Sequence, residues 1–317
     1  MRHPVRVRAV VTAAILALTL FSAGSALANG RPSAQEWADS LRQVQVNGTE
    51  LAVLDLGRGE PVVFVHGSSA DYRTWLGEIE PFARQYRVIA YSRRYHFPNS
   101  GGGDGRDYSP ALHEQDLVAL IEKLGLGKVN VVGHSSGAAL AAQLAADYPE
   151  LVRSVVLVEP VFPELMKASS RATEFADERR YVFERARQAL TNDFPDMGFD
   201  AIAGWEFGDD WESTIPRSVR VRLAQNVTSL KYQVLSPVRT PPFGCEKVQS
   251  IRCPVLYLDG AKSPWHARAM ADEFVKCRPA TQHITLKNVS HGMVWDDPRV
   301  FSRAVLEFLG HNALAGE

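Results

Sequence analysis

The sequence predicts an α/β fold in which a mostly parallel sheet is covered by helices. Three observations predict it. Short apolar runs of strand length alternate with amphipathic stretches of helix length. Runs such as Pro61–Val65 are apolar throughout, as strands buried on both faces are. The 317 residues are 45% hydrophobic and 22% charged, enough to bury a large core without metal or disulfide staples. With 35 Lys and Arg against 36 Asp and Glu, the formal net charge is −1, which excludes a polybasic nucleic-acid binder.

Taken in order, residues 1–28 read as a secretory signal rather than part of the fold. Arg2, Arg6 and Arg8 precede the apolar stretch Val10–Phe21, and Ser25-Ala26-Leu27-Ala28 supplies small residues for cleavage. The apolar stretch is short for a membrane span. The expectation is a secreted or periplasmic protein, with no membrane association once the signal is removed. Gln43–Val46 and Leu51–Leu56 then form a hairpin across Asn47-Gly48. Strands follow at Pro61–Val65, Arg87–Tyr91, Lys128–Val132, Ser154–Val158, Pro254–Leu258 and Gln282–Leu286, with helices at Asp71–Tyr86, Pro110–Leu124 and Ser136–Tyr148. Asp297-Pro298 caps the last helix.

The alternation fails between residues 161 and 251. Charged helical stretches at Glu174–Leu190 and Pro216–Leu235 flank Trp205, Phe207 and Trp211, with no buried strand between them. The layout is therefore a core of residues 29–160 and 252–317 with a helical cap, 161–251, inserted between two strands. Gly101-Gly102-Gly103 lacks the strand–turn–helix setting of a phosphate loop and reads as a plain loop.

Chemistry concentrates at Gly133-His134-Ser135-Ser136-Gly137, between a buried strand and an alanine-rich helix. A Gly-x-Ser-x-Gly in that setting is a nucleophile elbow, whose small flanking residues permit a sharp turn that lifts the serine off the sheet edge. With this motif, and with His66-Gly67-Ser68 ending the Pro61–Val65 strand, the chain resembles the α/β-hydrolase family over nearly all of its mature length.

The resemblance implies that the backbone N–H groups of Ser68 and Ser136 form an oxyanion hole, which stabilises the charge that develops on an attacked carbonyl oxygen. It implies that His291, in Val289-Ser290-His291-Gly292-Met293, is the base that activates Ser135. The acid departs from the common pattern. Where many members carry a Gly-x-x-Asp loop, this chain has Gly260-Ala261-Lys262-Ser263. Glu159, at the end of the preceding strand, is the natural replacement, and zearalenone-type lactonases and one group of haloalkane dehalogenases look similar in this respect. Asp259 is a rival, a triad without an acid is a third reading, and Asp296 and Asp297 read as helix caps.

The implied activity is a serine hydrolase that cleaves a small to medium apolar ester or lactone through an acyl-enzyme. Two alternatives stay open: a carbon–carbon bond hydrolase with the same triad, and a ligand-binding protein on a hydrolase scaffold with weak turnover. No cofactor or metal is implied, and the oligomeric state is not encoded in any recognisable motif. Trp205, Trp211 and Met293 are candidate pocket walls for the substrate. Ser92-Arg93-Arg94-Tyr95-His96 lies at the same catalytic edge, either shaping the pocket or forming a loop anchored by ion pairs. Cys253 and Cys277 fall at one sheet edge, where an exported protein can oxidise them to a disulfide and leave Cys245 free.

Overall fold

The computed structural model describes residues 40–99 and 103–312, so the signal-like segment 1–28 and most of the Gly101–Gly103 run lie outside the described residues. Eight strands form one sheet in the order β1-β2-β4-β3-β5-β6-β7-β8. These are β1 Leu41–Val46, β2 Thr49–Gly57, β3 Pro61–Val65, β4 Arg87–Tyr91, β5 Val129–His134, β6 Val152–Val158, β7 Val255–Gly260 and β8 Gln282–Leu286. Pairing is antiparallel from β1 to β2 and from β2 to β4, and parallel from there on. The hairpin turns where Asn47 and Gly48 both take positive φ, 42° and 71°, which suits the strand twist and which this residue pair tolerates.

Strands β3, β5, β6 and β7 are almost wholly buried, because helices cover both faces of the sheet. One apolar layer packs the helices Pro110–Lys123, Ser136–Asp147 and Trp265–Cys277 on the sheet. The other packs Ile79–Ala83 and Pro298–His311 on the opposite face. Between β6 and β7 run the inserted helices, among them Ala172–Thr191, Pro195–Phe207, Arg217–Ala224 and Val227–Leu235. They share a separate core of Ala186, Leu190, Phe199, Ile202, Trp211 and Val234, which rests on Ala70 and Trp295.

Two predicted helices are interrupted. Asp71–Tyr86 divides into a 3-10 turn, Tyr72–Trp75, and a short helix, Ile79–Ala83. Pro81 has no N–H to donate to residue 77, so a continuous helix cannot cross this stretch. Pro216–Leu235 divides at Asn226, whose buried amide donates to Asp71 Oδ2 at 2.7 Å and accepts from Phe97 N–H at 2.7 Å. That pair of bonds ties the inserted helices to two loops of the sheet. The helix Pro195–Phe207 has no counterpart among the sequence-predicted elements.

The expected Cys253–Cys277 disulfide is not formed. Cys277 bonds instead to Cys245, with Cα atoms 5.3 Å apart, while Cys253 is free and buried. The helix Cys245–Ser250 packs against Trp265–Cys277 and brings its first residue to the end of that helix. Cys253 points into the apolar layer beside Val255 and Phe274, where burial pushes its thiol up to about 11. Peptide mapping of the oxidised protein should therefore link Cys245 to Cys277. With a sequence separation of 32, Cys277→Ser should cost roughly 3–4 kcal/mol in urea unfolding. A map linking Cys253 to Cys277 would overturn this assignment.

Candidate active site

Ser135 sits on the turn from β5 into the helix Ser136–Asp147 with φ 55° and ψ −123°, a strained conformation for a residue with a Cβ. The turn is possible because its flanks are glycine. A Cβ on Gly137 would lie 2.3 Å from Val65 O, and one on Gly133 would lie 2.5 Å from Ala138 Cα. The Ser135 N–H donates to Val158 O at 2.8 Å, which fixes the turn against β6. As the first residue of its helix, Ser136 keeps an N–H without an intrahelical acceptor. Ser68 faces the same place from the loop after β3, where its hydroxyl donates to Ser136 Oγ at 3.1 Å. Gly67 lets the two loops meet, since a Cβ there would lie 3.1 Å from Ser135 Cβ.

Glu159 follows directly on β6, is 2% exposed, and holds φ 44°, the second strained backbone at this edge. Its Oε2 accepts from His291 Nδ1 at 2.6 Å. Its Oε1 accepts from Gly260 N–H at 2.7 Å and from Ser263 Oγ at 2.5 Å. The serine that stands in the common acid position thus donates to the carboxylate that holds His291. Asp259 is buried elsewhere and bonds His283 Nε2 at 3.1 Å, so it does not serve His291. Asp297 caps the last helix through Val300 N–H. Asp296 instead accepts from Ser290 N–H at 2.8 Å and Ser290 Oγ at 2.6 Å, which pins the loop that carries His291.

Burial works against a charge on His291, yet its pKa is raised because the hydrogen bond and charge of Glu159 outweigh burial, with Glu206 and Asp296 adding to them. His134, between the elbow's first glycine and its serine, packs on His291 with ring centroids 4.7 Å apart, and its Nε2 donates to His291 O at 2.8 Å. Burial, with His291 beside it, lowers His134 to about 3, so it acts as a neutral strut.

Two small cavities, each about 20 Å³, flank Ser135, and both are walled by Ser135, Glu206 and His291. One adds Ser68, Phe199, Phe207, Leu223 and Trp295. The other adds Glu159, Trp205, His266 and Met270. Of the three predicted wall residues, Trp205 lines a cavity, stacked on His266 at 4.3 Å. Trp211 and Met293 line neither and are corrected to core residues. Trp211 packs edge-on against Phe199 inside the inserted helices, and Met293 is wholly buried against the sheet. Phe207 takes the expected aromatic place, its ring 5.2 Å from that of His291. Glu206 was not singled out from the sequence. It lies on a helix the periodicity did not reveal, so no local signal pointed to it. Burial raises its pKa, with His291 opposing and Glu159 adding to the shift.

In the loop after β4, Arg94 makes a bidentate ion pair with Asp116, its Nε and Nη2 at 2.8 and 2.7 Å from the carboxylate oxygens. Arg93 turns inward and donates through Nη2 to Gly67 O at 2.9 Å and Ser136 Oγ at 3.2 Å. Among the described residues, no group of three or more His, Cys, Asp and Glu side chains could hold a metal ion, and no helix is long and apolar enough to cross a membrane.

A sequence model of the alpha/beta hydrolase fold matches residues 60–298. A dihydrolipoyllysine-residue acetyltransferase component of an acetoin cleaving system from Cupriavidus necator is 36% identical over 130 residues, 40% of this chain and 34% of that protein. The 2-(acetamidomethylene)succinate hydrolase of Mesorhizobium japonicum is 24% identical over 276 residues, 84% of this chain and 94% of that enzyme. Among solved structures, the enol-lactonase from Burkholderia xenovorans LB400 superposes with a TM-score of 0.68 at 18% identity, over 85% of this chain and 100% of the lactonase. At that identity the likeness speaks to fold alone. The matched span takes in the elbow, Glu159 and His291 together with strands β3 to β8, and the chain belongs to the α/β-hydrolase fold family.

Proposed function

We propose that the protein is a serine hydrolase that cleaves a carboxylic ester or lactone through an acyl-enzyme. The observation that carries this reading is the 2.6 Å bond from His291 to a buried Glu159, in a cavity wall shared with Ser135 on its strained turn. Ser135 Oγ attacks the carbonyl carbon and His291 Nε2 takes its proton. Glu159 holds Nδ1–H and stabilises the imidazolium. The N–H groups of Ser68 and Ser136 receive the oxyanion. His291 then protonates the departing alkoxide, and a water deprotonated by the same imidazole releases the acid. Trp205, Phe207 and Met270 give the site apolar walls, suited to a small or medium apolar acyl or alcohol part. The likeness over most of its length to an enzyme named as a 2-(acetamidomethylene)succinate hydrolase supports a hydrolytic reaction. The Cys245–Cys277 disulfide supports an exported setting, since such bonds persist in oxidising compartments.

Hydrolysis of p-nitrophenyl esters of increasing acyl length should be measurable, and Ser135→Ala should reduce it by about 10⁴-fold or more. Equal turnover by the variant would remove the serine mechanism. Glu159→Gln should lower kcat by roughly 10³–10⁴-fold. Asp259→Asn should leave kcat in the wild-type range, and the reverse ranking would reassign the acid.

The base must be neutral to act, and His291 is raised above its ordinary 6.5. The acid limb of kcat/KM should therefore have its midpoint above pH 6.5, with activity rising toward higher pH. In Glu159→Gln, residual activity should show that limb at lower pH, because burial is no longer opposed by the carboxylate. An unmoved limb would separate it from the His291–Glu159 pair.

A further inference from the structure

Arg93 is 3% exposed, yet among the described residues it makes no ion pair with a carboxylate, and its Nε has no hydrogen-bond partner. Its acceptors are neutral: Gly67 O, Ser136 Oγ and, beside it, the Tyr108 hydroxyl. The contrast with its neighbour is direct, since Arg94 has a carboxylate of its own in Asp116. Three buried histidines, His66, His96 and His113, surround Arg93, and burial together with the guanidinium keeps each of them neutral. The N-terminus of the helix Ser136–Asp147 adds positive potential rather than relieving it. A buried cation without a counter-charge is costly, and proteins retain one where a ligand supplies the charge.

The place for that charge is open. Arg93, Tyr108, His113, Ser136, Gln233 and Arg239 line a cavity of about 20 Å³, above the roughly 10–15 Å³ that one water needs. Through Arg239 and Thr240 it adjoins a surface groove of about 730 Å³, where Phe175 and Phe183 lie among Arg179, Glu184 and the ion pair of Lys167 with Glu164. The cavity as it stands has room for about one water, the size of a single oxygen of an anionic group that reaches in from the groove at the end of a longer, partly apolar body. A carboxylate matches the fork of a guanidinium through two parallel hydrogen bonds.

We propose that Arg93, with Tyr108, Gln233 and Arg239, forms a carboxylate-binding subsite beside the oxyanion loop, filled either by a carboxylate carried on the substrate of Ser135 or by a free carboxylic acid. The first source rests on the hydrolase reading above and the second does not. Arg93 is a positioning residue here. By holding Gly67 O and Ser136 Oγ, it couples occupancy of the subsite to the two loops that present the oxyanion donors.

The test compares p-nitrophenyl hydrogen glutarate with p-nitrophenyl pentanoate, esters of similar length that differ in a terminal carboxylate, in wild type, Arg93→Gln, Arg93→Lys and Arg239→Gln. The readout is the ratio of the two kcat/KM values, which a general loosening of the oxyanion loop leaves unchanged. Wild type should favour the glutarate ester by about tenfold or more, Arg93→Gln should bring the ratio near one, and Arg93→Lys should keep part of it. Should Arg93→Gln fail to fold, a fall in the same ratio for Arg239→Gln serves. In parallel, acetate is titrated at constant ionic strength while the Nε–H resonance of Arg93 is followed by NMR. No ester preference with a saturable shift of that resonance supports the subsite with a free acid as its ligand. Neither preference nor shift overturns the subsite, and turnover of the pentanoate ester then leaves the hydrolase reading standing. If neither ester turns over, the hydrolase reading fails, and the acetate titration decides the subsite alone.

Discussion

The carboxylate of Glu159 is the point where three separate stretches of chain are held together. It accepts from Gly260 N–H at the end of β7, from Ser263 Oγ in the loop beyond, and from His291 Nδ1 after β8. Bonds to a charged acceptor each contribute about 1.5–3 kcal/mol, and here they replace the water the buried group has lost. The order of the strands makes the convergence possible. Parallel pairing of β5, β6 and β7 brings the ends of all three to one edge, so Ser135, Glu159 and the Gly260 loop meet there without long connections. Ser135 and Glu159, two of the positive-φ residues, lie at that edge, and each is fixed by a backbone bond to the next strand, Ser135 N–H to Val158 O and Glu159 N–H to Leu258 O. Packing of the sheet thus bears the cost of the conformations that chemistry requires.

Charge is handled in two ways in this fold. Asp55 with Arg87, Asp116 with Arg94 and Glu159 with His291 are matched pairs, each fixing a loop or strand end. Glu206, Glu78 and Arg93 are not matched in this way. Glu206 responds with a raised pKa, as does Glu78, both of whose carboxyl oxygens are buried without partners. A carboxyl can escape its burial cost by keeping a proton, but a guanidinium cannot shed one at any ordinary pH. For that reason an unmatched arginine points to a ligand more strongly than an unmatched carboxyl does.

Much of this architecture was legible in the sequence because its causes are local. Continuous apolar runs marked the buried strands, Asn47-Gly48 marked the hairpin, and Gly133 and Gly137 marked a turn that no larger residue fits. Of the two breaks in the predicted helices, one had a local cause and one did not. Pro81 was visible, whereas the division at Asn226 depends on Asp71 and Phe97, far away in the chain. The pocket walls were least legible. Trp205, Trp211 and Phe207 are alike as residues, and only helix–helix packing decides that Trp211 faces Phe199 while Phe207 faces His291. The cysteine pairing failed for the same reason, since it turns on the packing of Cys245–Ser250 against Trp265–Cys277.

Ser263 has a bearing on how such a site could change over time. Its hydroxyl lies 2.5 Å from the carboxylate of Glu159, so an aspartate substituted there would bring a second negative charge against the first. Two carboxylates at that separation cannot both ionise, so one would hold a proton beside His291. The common layout of the family is thus not one substitution away. On the proposed role of Glu159, Coulomb repulsion sets the two acid positions against each other, so that this edge of the sheet can hold one ionised carboxylate or the other but not both.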